Sequence, residues 1–202
     1  MNIISYKQKL LNELYAPYLK CTECPLGTQG RTKVVFGSGN PDSSFMLIGE
    51  GPGQEEDRQG LPFVGRSGKL LNKVFELLGI ERESIFITNV VKCRPPQNRK
   101  PFENEMLTCT NLFLFKQIKI IRPKVICTLG ATALQGLINN FDIKISKIRG
   151  KPIKAHHIPE IFIMPTFHPA YILRNPKEFN TLFDDIKRAY FFSLESYNNA
   201  QE

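Results

Sequence analysis

The residues of this chain whose types and spacing could do chemistry are five cysteines, three loops that follow apolar runs, and one histidine standing directly after the last of those runs. Cys21 and Cys24 form a CxxC pair, Cys93 follows after 68 intervening residues, and Cys109 after 15 more, while Cys127 sits inside the apolar run KVICTLG. Five cysteines are too few and too unevenly placed for a secreted disulfide scaffold, and an odd count leaves one over in any pairing. Metal or cluster ligation is the better reading. A CxxC with two distant single cysteines suits zinc or an iron-sulfur cluster equally, because both take four thiolates, and spacing does not choose between them. Cys127 reads as a buried thiol.

The loops are GEGPGQEEDRQGLPFVGRSGKLL (49–71), TNVVKCRPPQNRKP (88–101) and FHPAYILRNP (167–176). The glycines of the first let backbone N–H groups approach a small ligand, and Gly65 to Gly68, entering a helix, could receive a phosphate. A dinucleotide fingerprint fails, because Gln54 stands where its third glycine belongs and Pro52 interrupts the bend. Asn89 offers one acceptor and two donors, although an asparagine at a strand end is more often a turn or cap residue. His168 is a donor that could stabilise developing negative charge, whereas His156 and His157 lie in a basic stretch and read as structural. Glu55, Glu56 and Asp57 also suit a solvated acidic helix start.

The elements that must position these loops follow from periodicity. Residues 2–19 read as a peripheral helix ending near Pro17. Strands are expected at Phe45–Ile48, in SIFITNVV, in KVICTLG and in IFIMPTF, alternating with helices over 67–78 (Ser67 as N-cap, Gly79 as stop), 102–121, around Ala133 and Leu137, and from Phe179 to Leu194. The last residues, SYNNAQE, should fray. Such alternation gives an α/β fold, a three-layer α/β/α sandwich around a central four-stranded parallel sheet, whose ligands lie at the carboxyl ends of the strands. At 202 residues, 42% hydrophobic and 23% charged, the chain fits one domain over 1–202. Its formal charge of +8 suits a polyanion. No apolar run approaches the ~20 residues of a membrane span, and the start lacks signal-peptide features, so a cytoplasmic protein without membrane contact is expected.

GEGPGQEED, GLPFVGRSGKLL, TNVVKCRPP and HPAYILR, in that order and spacing, together with the cysteine layout, resemble the iron-sulfur uracil-DNA glycosylases known as family 4. The resemblance spans nearly the whole chain. It implies hydrolytic removal of uracil from DNA in base excision repair, leaving an abasic site, by a monomer carrying a [4Fe-4S] cluster on Cys21, Cys24, Cys93 and Cys109. That cluster would tie residues 1–40 to the domain. Carried over residue by residue, Phe63 looks like the aromatic on which extruded uracil stacks, Asn89 like the uracil reader, and His168 like the donor to uracil O2. The best-known relatives have an Asp where this chain has Gly51, which would contribute backbone polar atoms to uracil and to catalysis. Glu50 and Glu56 remain to position water, with Glu56 favoured. DNA would be held by Arg66, Ser67, Lys92, Arg94 and Arg99, by the basic run Lys144, Lys147, Arg149, Lys151 and Lys154, and by a wedge from Tyr171, Leu173 or Arg174 that fills the gap left by the rotated nucleotide.

Two other readings compete. One is the branch of the same superfamily that traps the sugar covalently through a histidine in a KRRIH-type insertion, but the corresponding loop here is KCRPPQNRKP. The other is a non-catalytic, cluster-bearing DNA-binding module accessory to replication. A replication-clamp contact is left open.

Overall fold

In a computed structural model, residues 2–198 are described. They form α1 (Ile3–Tyr15), β1 (Ser38–Gly39), β2 (Phe45–Gly49), α2 (Gln54–Gln59), α3 (Arg66–Leu78), β3 (Phe86–Asn89), α4 (Glu103–Cys109), α5 (Phe115–Ile121), β4 (Val125–Leu129), α6 (Ala131–Ile138), α7 (Ile145–Ile148), β5 (Phe162–Thr166), α8 (Pro169–Arg174) and α9 (Phe179–Asn198). The sheet order is β1-β3-β2-β4-β5. β2 pairs in parallel with β3 and β4, and β4 with β5.

Because successive strand side chains point to opposite faces, Met46 and Ile48 of β2 enter one core while Phe45 and Leu47 enter another. The first core is covered by α1, α4, α5 and α6 through Leu11, Met106, Ile118 and Leu134. The second is covered by α3, α8 and α9 through Leu71, Val74, Ile172, Leu182 and Ile186. Three layers result, as expected. The four expected strands are the parallel ones, and a fifth, β1, adds two residues antiparallel to β3. Its sequence, GSGN, is turn-forming and gives no strand signal; Gly39, at φ +113, fits against the edge because it has no Cβ, which would lie 1.8 Å from the Ile85 carbonyl oxygen.

Other expectations shift at element ends. The helix expected over 102–121 is broken by a wide π-turn at Thr110–Leu114, which re-phases the helix after Cys109 so that Phe113, Leu114 and Ile118 all remain in the core. Gly65 rather than Ser67 is the N-cap of α3. α1 stops at Tyr15, and Pro17 lies in a following single turn. α9 stays helical to Asn198, so the fraying expected from residue 196 is not seen up to that point; residues 199–202 lie outside the described residues. Among the described residues no helix is long and apolar enough to cross a membrane.

From β2 the chain crosses to one neighbour, β3, and from β4 to the other, β5, so the loops diverge above the carboxyl ends of β2 and β4 and a crevice opens there. One face of the sheet that carries the crevice is covered in part by α1, which buries Leu11 in the sheet-facing core. Leu11→Ala should lower unfolding free energy by ~2–5 kcal/mol, measured by urea titration; an effect below about 0.5 kcal/mol would show that α1 only rests on the surface.

Candidate active site

Gly49 ends β2, opposite Asn89 at the end of β3. A Cβ on Gly49 would lie 2.4 Å from both the Asn89 Oδ1 and the Phe63 ring. The missing side chain therefore lets an amide and an aromatic face close on bare backbone. Phe63 has a left-handed backbone, φ 50, a conformation costing ~1–3 kcal/mol that persists only where the surroundings impose it. Those surroundings are specific. Glu56 accepts from the backbone N–H of Val64 and Gly65 through Oε1, at 2.9 and 2.7 Å, and from Gly53 through Oε2, at 3.1 Å. Arg82 donates to the Pro62 carbonyl at 2.6 Å, and α3 abuts the Phe63 carbonyl so closely that a Cβ on Gly68 would lie 1.8 Å from it.

Asn89 is buried, and its Oδ1 has no hydrogen-bond partner. Across the cleft, His168 follows β5 and caps α8, its Nδ1 accepting from the Ala170 N–H at 3.1 Å. An accepting Nδ1 leaves the proton on Nε2, which is then a donor. Burial, reinforced by the charge of Arg174, pushes the His168 pKa down to about 4, so the ring is neutral near pH 7. The Phe63 and His168 rings lie 6.1 Å apart. With Glu50 to Glu56, Asn89, Arg66, Ser67, Tyr171 and Arg174 they line one cleft of about 710 Å³.

A second constellation lies behind β3. Cys21, Cys24, Cys93 and Cys109 line one small cavity with Leu26, Val91, Leu112 and Phe113, and the Lys92 N–H donates to Cys109 Sγ at 3.3 Å. Burial pushes the Cys93 and Cys109 thiols up to about 12. Among the described residues no group of three His, Cys, Asp or Glu closes around a single ion. Cys127 lies in β4 and faces the other core.

The uracil DNA glycosylase superfamily model matches residues 36–190. A type-4 uracil-DNA glycosylase of Thermotoga maritima is 45% identical over 188 residues, 92% of this chain and 96% of that protein. Another, of Sulfurisphaera tokodaii, is 44% identical over 88% of this chain and 82% of its own length, and one of Archaeoglobus fulgidus is 36% identical over 88% and 90%. The chain belongs to the type-4 uracil-DNA glycosylases.

Within this glycosylase fold the expected site residues separate into groups. Phe63, Asn89, His168, Gly51 and Glu50 share the cleft, with Arg66, Ser67, Tyr171 and Arg174 on its walls. Leu173 is exposed on α8 beside it. Arg94 is half-buried, its Nε donating to Asn98 Oδ1 at 2.8 Å. Lys92 is not a DNA contact. It is fully buried, and its Nζ donates to Thr88 Oγ1, the Asn89 carbonyl and Gln117 Oε1 at 2.6–2.7 Å. Arg99 reaches the cleft wall, but its guanidinium is bidentate to buried Glu105 at 2.7 and 2.8 Å and lies over the Phe102 ring. Its charge is thus matched internally. In the second basic run, Arg149 pairs with Asp185 and Lys154 caps the Pro159 carbonyl, and no member of that run lines the cleft.

Glu56 lines the cleft, yet both its oxygens are taken by loop N–H groups, so it clasps the Gly53 and Phe63 loops together rather than offering a free base. Gly51 packs against Val91, whose methyl a Cβ at 51 would meet at 2.7 Å, which explains why no side chain occupies this position. The sequence reading passed over Gly49 and Gln117, and took Gly68 only as part of a turn that could receive a phosphate. The glycines carried a usable signal, sitting at a strand end and in the first turn of a helix, whereas nothing local marks Gln117.

Because the folded His168 pKa lies below its ordinary value of about 6.5, the unfolded chain takes up this proton first. The contribution is fully present above that ordinary value and is lost as pH falls toward about 4. An NMR titration of the His168 ring should show its midpoint near pH 4; a midpoint near 6.5 would mean that the ring is solvated.

Proposed function

We propose that the protein removes uracil from DNA by hydrolysing the N-glycosidic bond, releasing the base and leaving an abasic site for base excision repair. The observation that carries this reading is the buried, unpartnered Asn89 Oδ1. An orphaned acceptor is costly unless a ligand supplies a donor, and uracil N3–H is such a donor, while the amide NH2 can give to O4. Cytosine presents an acceptor at N3 and would leave Oδ1 unpaired, a mismatch that discriminates strongly in a buried site. Phe63 supplies the stacking face.

Breaking the bond leaves negative charge on the departing base. His168, neutral and donating from Nε2, is placed to hydrogen-bond uracil O2 as that charge grows, stabilising the transition state more than the ground state. Of the two candidate carboxylates, Glu50 is the one free to orient the attacking water, because Glu56 is occupied by three N–H groups. Water rather than an amine is the nucleophile in this reading: the cleft lining contains no lysine, so a Schiff base to the sugar is not expected.

A duplex must release the target nucleotide into the cleft. Tyr171, Leu173 and Arg174 stand exposed on α8, one turn from His168, where they can fill the vacated stack. Arg66 and Ser67 open α3 beside the cleft, where backbone N–H groups and the helix dipole favour a phosphate. The net charge of +8 adds non-specific attraction.

The four-cysteine cavity fits a [4Fe-4S] cluster held by Cys21, Cys24, Cys93 and Cys109. Four sulfurs around a shared void, with an N–H already directed at one of them, form the donor set such a cluster takes. Bound there, it supplies a cross-link between the Cys21–Cys24 loop, the loop after β3 and α4.

The test is incubation with a uracil-containing oligonucleotide followed by alkali. Strand cleavage is expected, and an intact strand despite a mobility shift would leave only a binding module. Asn89→Ala and His168→Ala should each lower turnover ~10²–10³-fold without loss of iron, whereas Cys93→Ala should lose iron and sulfide first. For wild type, kcat/KM should hold until pH falls toward 4, the value set by His168; a limb near 6.5 would remove the neutral-histidine role. Leu173→Ala should slow cleavage of duplex more than of single-stranded substrate, and equal slowing would discard the wedge.

A further inference from the structure

Between the CxxC loop and β1 stands Arg31, a cation that the cleft does not use. Arg31 donates from Nη2 to the carbonyl of Cys21, which lines the cysteine cavity, at 2.6 Å, and its Nε is buried without a partner. One planar group is thus anchored on the CxxC loop with a buried donor left over. The chain from which it projects is fixed, because Asp57 accepts from the N–H of Thr32 at 2.8 and 2.9 Å and of Lys33 at 3.2 Å.

The other charges around the thiols are committed elsewhere. Lys92 gives its backbone N–H to Cys109 but spends all three ammonium donors on Thr88, Asn89 and Gln117. Glu105 is bound by Arg99, and Glu23, on the cavity wall, is exposed to solvent. Arg31 is therefore the cation beside the CxxC loop that keeps a buried donor unused. Four thiolates outweigh the positive charge of an iron-sulfur core, so a bound cluster is an anion, and donors and cations beside its sulfurs stabilise it and favour its reduced form.

We propose that Arg31 is a positioning residue for the iron-sulfur group: it holds the CxxC loop through the Cys21 carbonyl and gives its unpartnered N–H to the cluster, retaining the group and raising its reduction potential. This inference rests on the four-cysteine reading above.

Wild type, Arg31→Gln and Arg31→Lys, purified without oxygen, would be assayed for iron and sulfide per chain, for bleaching by ferricyanide with a chelator, and for reduction potential. Arg31→Gln should carry a cluster that bleaches ~10–100-fold faster and has a lower potential. Arg31→Lys should recover the potential but not the retention, since an ammonium keeps the charge but cannot bridge two points with a fixed fork. Cluster-bearing Arg31→Gln with wild-type bleaching and potential overturns the proposal while leaving the four-cysteine reading intact. Wild type free of iron overturns both. Should Arg31→Gln fail to fold, wild-type bleaching in Arg31→Lys overturns the proposal.

Discussion

The closure of Phe63 and Asn89 on the bare backbone of Gly49 is the contact on which the rest of the cleft depends. It sets an aromatic face beside a carboxamide whose oxygen is buried and unsatisfied. Neither group tolerates its position alone. Phe63 sits in a backbone region that L-residues avoid, and Asn89 pays desolvation without a partner. Both are held by surroundings that leave no alternative: the Glu56 clasp and the first turn of α3 for Phe63, the β2–β3 ladder and the Lys92 ammonium for Asn89.

Buried charge in this molecule serves mainly to fix loops. Glu56, Asp57, Glu105 and Asp185 each bind backbone N–H groups or a guanidinium at a loop that borders the cleft, the cysteine cavity or the sheet end. Arg99 keeps Glu105 ionised, holding its carboxyl below the usual range although burial acts in the opposite direction. The buried polar chain Tyr15–Gln117–Lys92 runs from α1 to β3, with Gln117 donating to the Tyr15 hydroxyl at 2.5 Å and Lys92 reaching the Asn89 carbonyl. Through it the N-terminal helix and the strand that ends at Asn89 share one hydrogen-bond network.

The layer architecture was legible because it follows from local periodicity. β2, β4 and β5 are short apolar runs, and the amphipathic spacing of Leu71, Val74 and Phe75 marks α3 without reference to any contact. The cleft was legible at its strand ends, where Asn89 and His168 directly follow apolar runs. What could not be read was the use of charge. Lys92 and Arg99 stand in a run of four basic residues without an acid, which looks like a DNA-facing surface until Gln117 and Glu105 are brought beside them. Glu56 likewise looks like a catalytic carboxylate or a dipole-stabilising one until Val64 and Gly65 fold back onto it.

Residue order alone determined the alternation of strands and helices, the set of four cysteines apart from Cys127, and the family to which the chain belongs, because each is carried by spacing that survives without coordinates. Tertiary structure decided which charges face solvent, which carboxylate is free, the burial of His168 and the N–H that its Nδ1 accepts, and the meeting of Arg31 with the Cys21 carbonyl. Those depend on burial and on the partners that folding supplies, and the free energy of a buried polar group is set by what surrounds it rather than by what precedes it in the chain.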